Sequence, residues 1–487
     1  CCEDDSGENY EYCQEDTEIA WSASCTSSED ACCDATNDCV NDTTSISSCF
    51  AAGAAHQLTD EIATPNLDRL VRSGTVFTHA YNMGSWTGAV CVASRTMLNT
   101  GLFLWHAQRA ARKLDQTFRQ RDRMWGQLMA HAGYETYFTG KWHVRANPEK
   151  VFDHVTHVRG GMPNQTPQGY NRPVEGKPDP WKPWDPKFGG YWKGGKHWSE
   201  VLGDDATAFI AQAARRDKPF FMYLAFNAPH DPRQSPRSYV ERYPLKKIAV
   251  PENFLPEYPY KDAIGCGKGL RDEKLAPFPR TKHAVKVHRQ EYYAIITHMD
   301  AQIGRILDAL DRSGKAANTV IFFTADHGLA VGHHGLMGKQ NLYDHSVRVP
   351  LIVTGPGVPK GRRIDAPVYL QDIMPSTLEL AGAAKPEHVQ FSSLMPLIAG
   401  KAKQSHDAVY GAYLGLQRMV TDDGWKLLLY PKIKKVLLYN LKDDPLEMKD
   451  LAGDPKHKPI IRRLFATLRR LQKEAGDTLD LRAAFPK

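Results

Sequence analysis

The chain has 487 residues, enough to bury a large core and to form more than one domain. Hydrophobic residues make up 42% of it, and no run of eighteen apolar residues occurs, so the composition predicts a globular protein without a membrane span. The net charge of +6 hides an asymmetry, because residues 1–50 hold 13 acidic residues and no Lys or Arg. The remainder is strongly basic, which suits an anionic substrate, and no nucleic-acid-binding motif is present, so nucleic acid is not predicted as a partner.

The first fifty residues differ from the rest of the chain. Eight of the ten cysteines lie there, no periodicity is visible, and Ser, Thr, Asp and Glu are abundant. This composition predicts an atypical acidic, Cys-rich leader over 1–50, either disordered or held by disulfides or a metal. The basic-then-apolar order of a signal peptide is not visible at the amino terminus. Only Cys91 and Cys266 follow, so the body is not a disulfide framework.

A regular pattern begins at Ala51. Thr64 is a suitable helix cap, Pro65 suits the first helical turn, and Gly74 can end the helix. The pattern up to residue 200 further predicts a strand at 76–77, a helix at 124–132, a strand at 134–139 and a long loop at 151–200.

Three nearly continuous apolar runs follow, at 219–226, 319–324 and 349–353. Such runs are typical of strands buried on both faces of a parallel sheet. Apolar residues recur at helical spacing over 292–310 between the first two runs. Strand and helix therefore alternate, which predicts an α/β fold with a doubly wound, mostly parallel central sheet. We assign this catalytic domain to residues 51–400, with its chemistry at the carboxyl ends of the strands.

Short alternating runs replace this pattern after residue 400. Strands are predicted at 408–413, 417–421, 426–430 and 436–441, and a closing helix at 459–474. Asp423-Gly424 is a hairpin turn signal between the second and third of these strands. Residues 401–487 are therefore predicted to form a smaller α+β subdomain on an antiparallel sheet.

The sequence around Cys91 is Cys-Val-Ala-Ser-Arg, which ends at Arg95. A lone cysteine at a helix start is usually a buried core residue. A thiolate nucleophile is a second interpretation, since a helix amino terminus and Arg95 both favour the anion. The string also resembles the signature of formylglycine-dependent sulfatases, in which this cysteine is oxidised to formylglycine.

Four further motifs extend this resemblance in the expected order, from about Ala51 to the carboxyl terminus. They are Gly133-Tyr134-Glu135-Thr136 with Gly140-Lys141-Trp142-His143, Pro229-His230-Asp231-Pro232-Arg233, Thr324-Ala325-Asp326-His327-Gly328, and Gly338-Lys339-Gln340-Asn341-Leu342-Tyr343. The chain is thus similar to arylsulfatase-type enzymes of the alkaline phosphatase superfamily, and among them to bacterial polysaccharide sulfatases.

The resemblance implies a role for each of six residues. The formylglycine hydrate made from Cys91 attacks sulfur through one hydroxyl, and its second hydroxyl later allows sulfate to leave. Arg95 holds the hydrate, while Lys141 and Lys339 contact sulfate oxygens, and His143 and His230 move protons at the hydrate and the leaving oxygen. Single lysines are more often solvated surface residues, so the ordered set, and not one residue, supports these roles.

Asp326 and His327 resemble the family's downstream metal ligands, next to residue 91. A carboxylate favours a hard cation, so calcium is the expected ion, although His is a more natural ligand for a transition metal. The family also places an Asp-Asp pair shortly before the helix that begins at Pro65. This chain has Ser45-Ile46-Ser47-Ser48 there, and Asp60-Glu61 is a poor substitute.

Two explanations remain for this departure. The protein either lacks the pair and has a weak metal site, or residues 1–50 are not native and are a shifted reading of an apolar leader and first strand. Leucine codons of the CTG type, read one base late, become cysteine codons, which would account for the cysteines.

The expected activity is hydrolysis of a sulfate ester on a sulfated carbohydrate. Trp181, Trp184, Trp192 and Trp198 could stack on sugar rings, although packing within their loop explains them equally well. The resemblance also implies a formylglycine-generating maturation enzyme as partner and a periplasmic or secreted location. The alternatives are a phosphodiesterase or phosphonate hydrolase of the same superfamily, and a sulfoglycan-binding protein with impaired turnover.

Overall fold

The computed structural model describes residues 61–161 and 166–485. The leader predicted over 1–50 lies outside these residues, and the domain boundaries at 50 and 400 stay predictions. The helices of seven or more residues are α1 Pro65–Ser73, α2 Val90–Thr100, α3 Leu104–Ala111, α4 Trp125–His131, α5 Trp198–Ala214, α6 Lys282–Arg312, α7 Ile373–Leu380 and α8 Lys458–Glu474. Shorter helices span Leu114–Thr117, Arg237–Val240, Asp344–Val347, Met395–Ile398 and Leu481–Ala484. No helix in this part of the chain is both long and apolar enough to cross a membrane.

The strands are β1 Gly74–Tyr81, β2 Gly84–Ser85, β3 Glu135–Lys141, β4 His154–Arg159, β5 Phe220–Ala225, β6 Ile321–Thr324, β7 Arg348–Thr354, β8 Arg362–Ile364, β9 Val368–Tyr369, β10 Val409–Tyr413, β11 Gln417–Asp422, β12 Trp425–Tyr430 and β13 Lys435–Asn440. Two sheets carry the catalytic part. One is the parallel set β4-β3-β5, and the other is β6-β7-β1-β8, with β9 also paired to β1. Helices flank both, which confirms the predicted α/β class.

One pairing differs from the parallel sheet that the apolar runs predict. Strand β7 is antiparallel to both β1 and β6, whereas β1 is parallel to β8 and β9. All seven residues of β7 are nevertheless buried. A continuous apolar run reports burial on both faces but not strand direction, which depends on the connection.

The carboxyl-terminal sheet follows the order β13-β12-β11-β10-β2. Strands β10 to β13 follow one another as antiparallel hairpins, and β2 pairs with β10 in parallel. Asp423 and Gly424 both have positive φ, as a tight two-residue hairpin turn requires. Leu464 and Leu468 of α8 are fully buried among apolar side chains of this sheet.

The stretch predicted as a loop at 151–200 contains one strand and the start of a helix. His154–Arg159 forms β4, and α5 begins at Trp198. Strand β4 has mixed polarity and is partly exposed, so the sequence shows no apolar run there. Strand β4 is an edge strand among the described residues, where only β3 pairs with it, and an edge position allows such a composition.

Candidate active site

Residue 91 lies in the first turn of α2, where helical N–H groups lack intrahelical partners. This position stabilises a negative charge on the side chain. Ten of the eleven residues of α2 are buried, so the helix is fixed in the core. Gly101 ends it with a φ of 70°, and an added Cβ there would lie 2.9 Å from Val389. Cys91 itself is 1% exposed.

Basic side chains surround the Cys91 thiol. Its Sγ lies 3.2 Å from Nδ1 of His143, a residue held at a φ of 57° just after β3. Burial alone would raise the pKa of Cys91. The charge of Lys141 and the neighbouring imidazoles of His143, His230 and His327 outweigh burial and hold that pKa well below its usual value. The site therefore stabilises an anion at position 91.

Arg95 lies one helical turn after Cys91 and joins two strand ends. Its Nε donates to Oδ2 of Asp326 at 2.7 Å, and its Nη1 donates to the carbonyl oxygen of Lys141. Burial lowers the pKa of Lys141, with Arg95 and Lys339 adding repulsion, while the charges of Cys91 and Asp326 oppose the fall. Lys141 is 2% exposed, so it is almost wholly shielded from bulk solvent while it lines the cavity at the site.

His230 and Lys339 form a buried pair on the other side of the site. Lys339 Nζ lies 3.0 Å from His230 Nε2 and 3.4 Å from Asp272 Oδ2. Burial and the neighbouring charge of Lys339 lower the pKa of His230 to about 4, so His230 is neutral at pH 7. Burial acts to lower the pKa of Lys339, but the charges of Asp272, Cys91 and Asp231 raise it. The shared proton therefore resides on Lys339, which donates to His230.

Three side chains form the only group of potential metal ligands in the part of the chain that the structure describes. Ligand atoms of Cys91, Asp326 and His327 lie within 4.8 Å of one another. His327 Nδ1 lies 2.9 Å from the Gly328 carbonyl oxygen, which leaves Nε2 buried and without a hydrogen-bond partner. That orphaned nitrogen fits a metal ligand. One carboxylate, one thiol and one imidazole are nevertheless a poor set for calcium, which takes six to eight oxygen ligands.

The eight residues predicted for the site thus come together from separate elements. Sequence reasoning gave no role to Asp231, Arg271 or Asp272. Arg271 bridges the other two, at 2.8 Å from Asp231 Oδ2, and Asp272 contacts Lys339. The motif around His230 includes Asp231, but no local pattern marks residues 271–272, which reach the site through a long irregular loop.

Two other residues that the sequence singled out, Trp181 and Glu61, are engaged in other contacts. Trp181 is 4% exposed and stacks on Phe188 with ring centroids 4.4 Å apart, so it packs its own loop. Glu61 accepts from the Ala249 N–H at 3.0 Å and pairs with Arg289, and it does not belong to the group formed by Cys91, Asp326 and His327. It does not replace the missing carboxylates, and Asp60 lies outside the described residues.

Comparison with known families agrees with the site geometry. The sulfatase family profile matches residues 48–383, and the profile of the carboxyl-terminal region of N-sulphoglucosamine sulphohydrolase matches 332–474. An arylsulfatase of Clostridium perfringens is 27% identical over 441 residues, covering 82% of this chain and 87% of that protein. An N-acetylglucosamine-6-O-sulfatase of Bacteroides thetaiotaomicron is 24% identical over 513 residues, covering 89% and 85%.

Solved structures share the fold. A phosphonate monoester hydrolase of Silicibacter pomeroyi superposes with a TM-score of 0.70 at 22% identity, covering 87% of this chain and 92% of that one. A protein solved with its substrate D-glucosamine-2-N,6-O-disulfate superposes with a TM-score of 0.69 at 24% identity, covering 88% and 97%. With the family profile matching more than half of its length, this chain belongs to the sulfatase family of the alkaline phosphatase superfamily and is a sulfuric ester hydrolase.

Proposed function

We propose that the protein removes sulfate from a sulfated carbohydrate, with formylglycine formed at position 91. The observation that carries this proposal is the convergence of Lys141, His143, His230 and Lys339 on one buried side chain. Preorganised cations and hydrogen-bond donors in a dry site are usually the largest catalytic contribution. A tetrahedral anionic group is the ligand that such a set of side chains suits.

Each residue has a proposed task. Formylglycine hydrate, when formed, supplies the hydroxyl nucleophile and a second hydroxyl for sulfate release. Arg95 orients residue 91 and Asp326, and Lys141 neutralises sulfuryl oxygens. His143 Nδ1, at 3.2 Å from the side-chain atom of residue 91, takes its proton. The His230–Lys339 pair delivers a proton to the leaving oxygen, and Lys339 also contacts the sulfate.

We also propose that the site binds calcium, because the resemblance to the family implies this ion. Asp326 and His327 would be its ligands, and residue 91 would lie beside it. The cluster at residue 91 supplies one carboxylate, so the other oxygen ligands would have to be backbone or amide carbonyls, water, the substrate or side chains outside this cluster. Calorimetric titration with calcium tests this. Binding that is lost in Asp326→Asn supports it, and tighter binding of zinc than of calcium contradicts it.

The proposed substrate class, a sulfated carbohydrate, is supported by the names of related proteins. One acts on N-acetylglucosamine-6-O-sulfate esters by its name, and another from Formosa agariphila is an ulvan-active sulfatase. We further propose a formylglycine-generating enzyme as the maturation partner and a periplasmic or secreted location, both on the resemblance to the family.

Peptide mass spectrometry around position 91, in protein co-expressed with a maturation enzyme, tests the mechanism. We expect formylglycine at position 91 and release of sulfate from an aryl sulfate and from sulfated sugars. The Cys91→Ala variant, purified in the same way, is the matched control and releases none. An unmodified thiol in protein that still releases sulfate would overturn the proposal.

A phosphonate or phosphate diester hydrolase is the second candidate, because a phosphonate monoester hydrolase shares this fold at a TM-score of 0.70. The ratio of kcat/KM for an aryl sulfate to that for an aryl phosphate diester separates the two. A ratio below one favours the second candidate. Binding of sulfated glycan without any sulfate release, after full conversion of Cys91, would instead indicate a binding protein.

A further inference from the structure

The ammonium group of Lys339 lies between two side chains that determine its position. Lys339 is buried, and its Nζ lies 3.0 Å from His230 Nε2 and 3.4 Å from Asp272 Oδ2. His230 Nδ1 donates to the backbone carbonyl oxygen of Asp231 at 2.7 Å, which leaves Nε2 as an acceptor for the lysine. A lysine has a flexible four-carbon stem, so its ammonium group is placed only as well as its partners are.

Asp272 is itself fixed through both of its carboxylate oxygens. Oδ1 pairs with Arg271 Nη2, and Oδ2 accepts a hydrogen bond of 2.8 Å from Gln340 Nε2. Arg271 Nη1 also donates to Asp231 Oδ2 at 2.8 Å, so one guanidinium group bridges two buried carboxylates. A buried carboxylate with both oxygens engaged in this way has a defined orientation.

The side chain of Gln340 joins Asp272 to the start of helix α2. Its Nε2 donates to Asp272 and also, at 2.9 Å, to the carbonyl oxygen of Gly88, two residues before the helix. Its Oε1 accepts from the backbone N–H of Lys339 at 3.0 Å. Exchange of the amide oxygen and nitrogen would place donor against donor and acceptor against acceptor, so these partners determine the orientation of the amide. Gln340 thus connects the helix that carries residue 91 to Asp272.

The residue after Asp272 holds the backbone just before Lys339. Glu273 is fully buried, its Oε1 accepts from the Gly338 N–H at 2.9 Å, and its Oε2 accepts from the Met337 N–H at 3.0 Å. The two segments approach so closely that an added Cβ on Gly338 would lie 2.8 Å from Cβ of Asp272. These two neighbouring carboxylates therefore contact both the backbone and the side chain of the loop that carries Lys339.

A purely electrostatic role does not account for a carboxylate at this position. The negative charge of Asp272 cancels part of the positive charge of Lys339, which by itself weakens the attraction for an anionic substrate. The contacts give Asp272 a different task, because they connect the ammonium group to helix α2 through hydrogen-bonded side chains.

We propose that Asp272 and Gln340 are positioning residues for the sulfatase reaction. Together they hold the Lys339 ammonium group at a fixed place relative to residue 91, where it supports His230 and contacts the sulfate. Both residues act through Lys339 and not on the substrate. The inference rests on the proposed function, because it assumes the role that Lys339 has there.

A double-mutant cycle on the full chain, matured by co-expression with a formylglycine-generating enzyme, is the first test. Asp272→Asn keeps the shape of the side chain and removes its charge. It should lower kcat for phenyl sulfate by about 10–100-fold, while KM changes by less than about threefold. In a Lys339→Met background the same substitution should lower kcat by less than about threefold, because the group that it positions is absent. Asp262→Asn, at an exposed side chain earlier in the same irregular segment, is the matched control.

Gln340→Met is the second variant, and it separates the placement of Lys339 from the charge of the site. It keeps the length of the side chain, removes both N–H donors and leaves the net charge unchanged. We expect a loss of kcat similar to that of Asp272→Asn, and again little further loss in the Lys339→Met background. The two substitutions are independent of each other, so one variant that folds, as judged by denaturant unfolding, is sufficient for the test.

The possible outcomes separate this inference from the proposed function. Unchanged kcat in Asp272→Asn and Gln340→Met, with Lys339→Met impaired, contradicts the inference alone. A lower KM at unchanged kcat in Asp272→Asn shows a purely electrostatic role and also contradicts it. Equal losses in both backgrounds indicate a general structural effect, which overturns it as well. Full activity of Lys339→Met contradicts the role of Lys339 in the proposed function, and the inference fails with it.

Discussion

The thiol of unmodified Cys91 reports the electrostatics of the site without any turnover. Lys141 is the leading source of the lowered pKa of Cys91, so Lys141→Met should raise the midpoint of thiolate formation by about one to three pH units. Thiolate absorbance, taken as the difference from Cys91→Ala, measures this midpoint. Lys177→Met removes an equal charge from an exposed position and should leave it unchanged. An unmoved midpoint in Lys141→Met would contradict the proposed charge neutralisation.

The contribution of His230 to kcat should be larger for substrates with poorer leaving groups. If the His230–Lys339 pair protonates the leaving oxygen, His230→Gln should lower kcat by about 10²–10⁴-fold on a sugar sulfate. An aryl sulfate with an acidic phenol needs little protonation, so its kcat should fall much less. The exposed His131→Gln is the matched control. An equal loss on both substrates would indicate a positioning role for His230.

Helix α5 begins at a buried histidine, so we expect its contribution to stability to depend on pH. His197 caps it, because the Ser199 N–H donates to His197 Nδ1 at 3.1 Å, while Nε2 lies 2.9 Å from the carbonyl oxygen of Gln234. Burial and the nearby His298 lower the pKa of His197 to about 3. Its folded pKa is below the unfolded value of about 6.5, so the unfolded state binds this proton first and stability falls below pH 6.5.

The variant His197→Asn keeps a good capping oxygen and removes this titration. Between pH 6.5 and 4, His197 contributes up to about 1.4 kcal/mol per pH unit to the decline in the free energy of unfolding. Denaturant unfolding at several pH values should therefore give a shallower slope for the variant than for the parent chain. Parallel curves would show that His197 does not titrate in this way.

At the scale of the whole molecule, one lysine links the carboxyl-terminal sheet to the loop that carries Lys339. Lys426 of β12 is fully buried, and its Nζ lies 2.6 Å from Asp344 and 2.8 Å from Glu447. Lys426→Met removes the ammonium group from between two buried carboxyl groups and leaves Asp344 with only the more distant Arg348, at 3.6 Å, which should lower the free energy of unfolding by about 3–5 kcal/mol. Lys435→Met breaks a partly exposed pair with Asp450 and should cost less than about 1 kcal/mol. Denaturant unfolding measures both variants, and a similar loss in the free energy of unfolding for Lys426→Met and Lys435→Met would contradict this stabilising role of Lys426.

The sequence by itself determined the local parts of this protein. The apolar runs at 219–226 and 319–324 identified β5 and β6, and the helical spacing over 292–310 identified the middle of α6. Polar motifs directly after those strands indicated a site, because carboxyl ends of parallel strands meet at one edge. These features are encoded within a few residues of each other, so periodicity and capping signals are sufficient to find them.

Only the tertiary structure decided the features that depend on contacts between distant residues. Asp272 supports Lys339 from a loop without any motif, β7 runs antiparallel, and Trp181 packs against Phe188 and not towards solvent. Packing selects such contacts from many that the same local pattern allows, because burial depends on which surfaces meet and not on sequence spacing.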